Sequence, residues 1–231
     1  MTPTYNAPVA ALDTDTRADF ILRTYTHLIG AILAFVGAEY VLFTTGLAEP
    51  IAQWMISVNW LIPLGLFIAA SWFASRAAMT ARSKAAQYGA LGLFIVAEAI
   101  IFVPLLFMAM YYTNSGMELV NKAAWVTILG LAGLTAVAFW TRKDFSFLGG
   151  LLKWGMILAV IAIVASVIFG LSLGTWFSIG MIGLAGAAIL YDTSNVLHHY
   201  PEDRYVGAAL ALFASVALMF WYVLQLFMSR D

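Results

Sequence analysis

Seven apolar runs of about twenty residues divide this sequence, at 25–46, 55–75, 86–112, 121–141, 148–171, 175–197 and 205–228. A helix needs about 20 consecutive, mostly apolar residues to cross the hydrocarbon core of a bilayer. The runs therefore predict an all-α integral membrane fold, a seven-transmembrane helix bundle. They are continuous rather than alternating, which argues against a membrane β-barrel. Composition agrees: 63% of residues are hydrophobic and 10% charged, against about 25% charged in a soluble domain. Too few polar side chains exist to cover a water-facing surface, so the lipid bilayer is the first partner implied. Net charge is −1, which gives no basic footprint for nucleic acid. With no cysteine, disulfides, thiol nucleophiles and zinc–cysteine centres are excluded.

The loops are short, so one membrane domain is expected over 25–231, preceded by a polar tail at 1–24. That tail lacks the basic start, apolar run and small-residue cleavage site of a signal peptide. Thr16-Arg17-Ala18-Asp19 resembles a capping box opening a helix. With the N-terminus inside, Arg17, Arg23, Arg76, Arg82, Lys84, Arg142, Lys143, Lys153 and Arg204 fall on the inner side. Only Lys122 and Arg230 fall outside. Nine against two is a positive-inside bias. It predicts a cytoplasmic N-terminus and an outer C-terminus. Tyr111, Tyr112, Trp140, Trp176 and Tyr205 stand near span ends, where interfacial aromatics gather.

Charges at bilayer depth are costly and need a reason. Lys153, near the start of its span, can snorkel to the headgroups. Glu39 lies about 22 Å into the first span at the helical rise, either at a solvated end or in a site. Glu98 is about 18 Å into the third span and cannot easily snorkel. It must be protonated, paired or facing a wet cavity. Asp192 lies late in the sixth span, toward the negative end of the helix dipole. A cationic partner is expected, with Arg76 at a compatible depth and Arg82 and Arg204 as rivals. The competing reading has Asp192 ending the helix and capping a turn with Thr193 and Ser194. Ala185, Ala188 and Asp192 share one helix face, as do Ala208, Ala211 and Ser215 in the next span. Small residues let membrane helices approach closely, so the two stripes are expected to meet.

Other features read more plainly. Gly180, Gly183 and Gly186 lack a strand–turn–helix context and read as helix packing. Pro63 and Pro104 are expected to kink their spans and free carbonyls. His198 and His199 are adjacent, do not share a helix face, and read as solvated loop residues. His27 reads as a packing residue. No nucleophile–base constellation is visible, so no enzyme activity and no cofactor are expected.

Ile189-Leu190-Tyr191-Asp192-Thr193 resembles the Bax inhibitor-1 family, the transmembrane Bax-inhibitor-motif proteins. Ser194 through His199, the run from Phe94 to Leu106, the Arg142–Phe147 segment and the Ser229-Arg230-Asp231 terminus resemble bacterial members in particular. The similarity runs from about Arg23 onward. It implies six helices around a central seventh and a pH-sensitive calcium leak. In such relatives an aspartate of the sixth span, here Asp192, pairs with one of the seventh. Two adjacent carboxylates share a proton because they resist joint ionisation. Here Ser215 stands at the second aspartate's position and Leu218 at that of a common asparagine. The shared-proton pair cannot form, and the helix rise puts Ser215 about 7 Å deeper than Asp192. The resemblance leaves two expectations. One is a cation leak past Asp192, Glu98, Glu39 and Ser215, with transient calcium binding. The other is a non-conducting regulator of membrane quality control or cell survival, such as one that restrains a membrane-anchored AAA protease.

Overall fold

The computed structural model describes residues 7–231. Residues 1–6, the start of the expected polar tail, lie outside the described part. Eight α-helices follow one another: α1 (Thr14–Thr44), α2 (Ala48–Ser57), α3 (Leu61–Thr80), α4 (Lys84–Tyr112), α5 (Gly116–Thr141), α6 (Leu148–Phe169), α7 (Gly174–His198) and α8 (Tyr205–Met228). All but α2 are long and apolar enough to cross a membrane.

Helix α1 starts eleven residues before the expected first span, so the later part of the polar lead-in, from Thr14 on, is helical. Its cap also differs from expectation. Asp13, rather than Thr16, ends the chain's extended entry. It accepts from the Thr16 amide at 3.0 Å and the Thr16 hydroxyl at 2.8 Å, which satisfies an otherwise orphaned N–H. The run expected at 55–75 is broken. Val58 is extended, and the Asn59 side chain caps the Leu61 amide at 3.0 Å. The chain thus forms a short α2 and restarts as α3. Pro63 is the third residue of α3, where its missing N–H would have no helical partner in any case. It therefore kinks nothing. Pro104 does lie inside a helix, α4, and is buried.

Helix α8 is central. It is apolar on every side, the pattern of a helix enclosed by others. In its most apolar stretch 72% of residues are buried, against 61% in α4 and 6% in α6. It packs on α1, α3, α4, α5 and α7, whereas α6 packs mainly on α7. The expected ring of six is therefore incomplete at α6. Phe102 of α4 fixes one face of the centre. Its ring is 1% exposed, stacks on Phe220 at 5.6 Å and meets Trp221 and Phe35 edge-on at 5.0 and 5.2 Å.

The end of the bundle that holds most basic residues is tied together through Tyr205. Lys84 Nζ sits 3.9 Å from its ring centroid and Arg23 5.7 Å, and the His27 ring is 5.0 Å away. Tyr205, the first residue of α8, is thus a packing hub at the span end. Tyr111, Tyr112, Trp140 and Trp176 are exposed. A turn at Val9–Ala11 closes the same end, with the fully buried Val9 donating its amide to Tyr200 O at 2.9 Å. At the opposite end Asp231 accepts from the Ser115 amide and hydroxyl at 3.1 and 2.6 Å.

Helix α3 and α8 meet at Gly207. A Cβ there would stand 2.5 Å from Met79 Sδ and 3.2 Å from the Ala78 carbonyl oxygen. Gly207→Leu is expected to destabilise the purified protein by about 1–3 kcal/mol, the usual penalty of overpacking. Unchanged chemical unfolding in detergent would contradict this close approach.

Candidate functional site

Helix α7 does not stop at Asp192. It continues six residues to His198, so Asp192 is a residue of the helix body and not a turn cap. It also precedes the last turn, where the helix dipole acts most strongly. Its side chain is 8% exposed. The partner is Ser215 of α8, whose hydroxyl donates to Asp192 Oδ2 at 2.6 Å. The small-residue faces of α7 and α8 thus meet through this bond.

The depth difference expected between the two residues is closed by helix geometry. Each Cα–Cβ bond tilts toward its own helix N-terminus. Since α7 and α8 are antiparallel, the two side chains lean toward each other. The expected cationic partners are elsewhere. Arg76 is exposed and lies over the Trp72 ring at 5.8 Å. Arg204 donates to the Ala81 carbonyl at 2.6 Å and faces Asp203 at 3.4 Å. Among the described residues Asp192 forms no ion pair; a hydroxyl already serves its carboxylate and none of these cations reaches it.

A cavity of about 500 Å³ runs along α8 beside this bond. Its walls are mostly apolar. Ser71 and Ser75 of α3, Glu98 of α4, and Asp192 and Ser215 supply most of the polar groups. Helices α3 and α6 both line it and share no extended contact. Glu98 lies at the midpoint of α4, 5% exposed, with no hydrogen-bond partner among the described residues. Three of the four expected path residues therefore share one cavity.

Glu39 is not among them. It is buried near the far end of α1, and neither carboxylate oxygen has a hydrogen-bond partner among the described residues. The solvated-end reading of Glu39 fails for that reason. Lys153 is exposed near the start of α6. His27 bridges helices, with Nε2 2.9 Å from Tyr88 Oη. Of the three glycines 180, 183 and 186, only Gly186 packs closely, against Leu134 and Met219.

The segment between α5 and α6 brings in residues that sequence reasoning left apart. Asp144 accepts from the Ser146 amide at 2.8 Å and from Ser194 Oγ at 3.4 Å. It also faces His199 Nε2 at 3.4 Å. Ser194 Oγ accepts the Phe145 amide at 2.8 Å. The loop is thereby fastened to α7 two residues from Asp192. His199 is not simply solvated, and His198 Nδ1 rests 2.9 Å from Ser194 O. The signal was present, since both segments carried the family resemblance, but nothing in the sequence said that they touch. No cluster of three metal-ligating side chains occurs among the described residues. A bound calcium wants six to eight oxygens, so the cavity does not fit a resident ion.

Residues 17–231 match the profile of the family described as Inhibitor of apoptosis-promoting Bax1. The chain belongs to the Bax inhibitor-1 family. It is 35% identical over 124 residues to Modulator of FtsH protease YccA of Escherichia coli, covering 52% of this chain and 56% of that one. An uncharacterized protein of Pseudomonas aeruginosa is 34% identical over 125 residues, 54% and 55% of the two chains. A BI1-like protein of Arabidopsis thaliana is 29% identical over 120 residues, 49% and 46%. The chain spans about half the length of these relatives.

Asp144 should hold its loop down. The Ser146 amide keeps its carboxyl below the usual aspartate range. A depressed carboxyl contributes stability that is present above the unfolded value of about 3.9. That stability is lost as pH falls through the folded value. Tryptic cleavage after Arg142 and Lys143 should therefore be faster in Asp144→Ala than in wild type at pH 8. Equal rates would show that the loop is held by other contacts.

Proposed function

We propose that this member of the Bax inhibitor-1 family is a non-enzymatic cation leak protein, with calcium as its cargo. The observation that supports the reading is the cavity. Two carboxylates, Glu98 and Asp192, line one membrane-embedded space, and among the described residues no cationic side chain lines it. Such a space draws cations by its unbalanced charge, and carboxylates select them in pores. The inner path is shut in this conformation. Below Asp192 stand the buried Thr193, Val196, Leu197 and Val206, with Val9 closing the end against Tyr200. Opening requires α7 and α8 to part at the Asp192–Ser215 bond. Serine cannot titrate, so the site has one acid where an aspartate pair would have two.

The positive-inside bias supports a cytoplasmic basic end, with the N-terminus inside, in a bacterial inner membrane. Calcium then meets Glu98 before the Asp192 closure. Protonation of either carboxyl removes the charge that draws the cation, so flux falls as pH falls.

A second reading is favoured by one finding, the similarity to a protein named a modulator of the FtsH protease. On that reading the chain is a non-conducting partner of a membrane-anchored AAA protease. It predicts co-purification with such a protease and altered turnover of its substrates when this chain is deleted or overproduced. Unaltered turnover in both cases would remove it.

Calcium influx into liposomes holding the purified protein separates the two. Wild type should exceed empty liposomes, and influx should be lower where the two carboxyls are protonated than where they are charged. Glu98→Gln and Asp192→Asn should each lower it by about ten-fold, the effect of one lost charge interaction of about 1.4 kcal/mol. Wild-type influx no greater than that of empty liposomes would overturn the leak reading.

A further inference from the structure

We propose that the cleft between α3 and α6 binds a lipophilic organic monocation taken from the bilayer, with its charged centre on Glu98. Four observations converge on that ligand class. Glu98 is 95% buried by its 5% exposure, sits at the midplane of α4 and has no hydrogen-bond partner among the described residues. Its carboxylate faces the cleft, where a group brought from outside can meet it. An isolated buried carboxylate is strongly unfavourable without a counter-charge or a proton.

Among the described residues no lysine, arginine or histidine lines the cleft to supply that counter-charge, and Arg76, the expected candidate, is exposed and lies over the Trp72 ring. The walls around Glu98 suit an organic cation better than a hydrated ion. Phe67, Phe94, Phe102, Trp60 and Trp221 line the same space. Aromatic faces attract cations, most strongly when desolvated, and apolar walls add the hydrophobic term. The volume of about 500 Å³ falls within the range of small-molecule pockets, about 300–1,000 Å³.

The entrance fixes the source. Helices α3 and α6 both line the cleft and share no extended contact. Helix α6 has almost no buried face, so the cleft's margin is exposed to lipid. A ligand that partitions into the membrane enters sideways, without passing the closed inner end. Its amphipathic form is set by the cleft itself, apolar along its length and anionic at its centre. The inference uses the cavity of the leak reading but requires no conduction.

The test uses the full chain in phosphatidylcholine nanodiscs, with tetraphenylphosphonium as the cation and tetraphenylborate as a probe of the same shape and opposite charge. Equilibrium dialysis should show saturable tetraphenylphosphonium binding above that of empty nanodiscs, and no such binding of tetraphenylborate. Glu98→Gln should weaken the binding about ten-fold, as expected for a desolvated charge pair. Ala188→Phe, which keeps both carboxylates and fills the cleft, should abolish it, and this variant decides the matter if Glu98→Gln misfolds. No saturable binding, equal binding of the two probes, or undiminished binding in the variants would each overturn the proposal. Binding in a wild type that passes no calcium would sink the leak reading alone. Calcium influx without binding would sink only the present one.

Discussion

At Asp192 a buried carboxyl is met by a single donor among the described residues, the hydroxyl of Ser215. The Ser215 bond joins α7 to the central helix α8. It marks where the two helices meet. The layers on the basic side of it are buried, and the carboxylate-lined cavity lies on the other side. The neighbouring Ser194 ties the same helix to the α5–α6 loop. One turn of α7 thus carries both the bond to α8 and the attachment to the α5–α6 loop.

The central position of α8 follows from its sequence. A span that is apolar all round has no face to offer water or loops, and burial among other helices is its natural place. The small residues of α7 and α8 allow the two backbones to approach closely, which brings a short serine within reach of a short aspartate. A longer acid at position 215 would have placed two carboxyls where one hydroxyl now donates. The exchange removes a titrating group and leaves a simpler hydrogen bond.

Much of this was legible in the sequence, and the failures have physical causes. The seven spans were readable because twenty apolar residues in a row have few other fates. The second span was misplaced because hydropathy does not see Asn59 capping Leu61, and a proline early in a helix looks the same as one that kinks it. Asp192 and Glu98 were found from their cost at depth. The partner of Asp192 was misjudged because the argument from charge sought a cation. The helix-rise argument counted Cα positions and ignored side-chain tilt. Glu39 was grouped with the others by residue type, but α1 carries it outside the cavity. The Asp144–Ser194–His199 contacts were invisible because they join segments fifty residues apart.

On the leak reading, the Asp192–Ser215 hydrogen bond holds the inner path shut. Calcium influx into liposomes containing Ser215→Ala, with unfolding measured alongside, tests it most directly. Removing the hydroxyl takes away the donor while Asp192 and the cavity remain. Influx several-fold above that of wild type is expected, in a protein that is still folded. A folded Ser215→Ala protein with wild-type influx would contradict it.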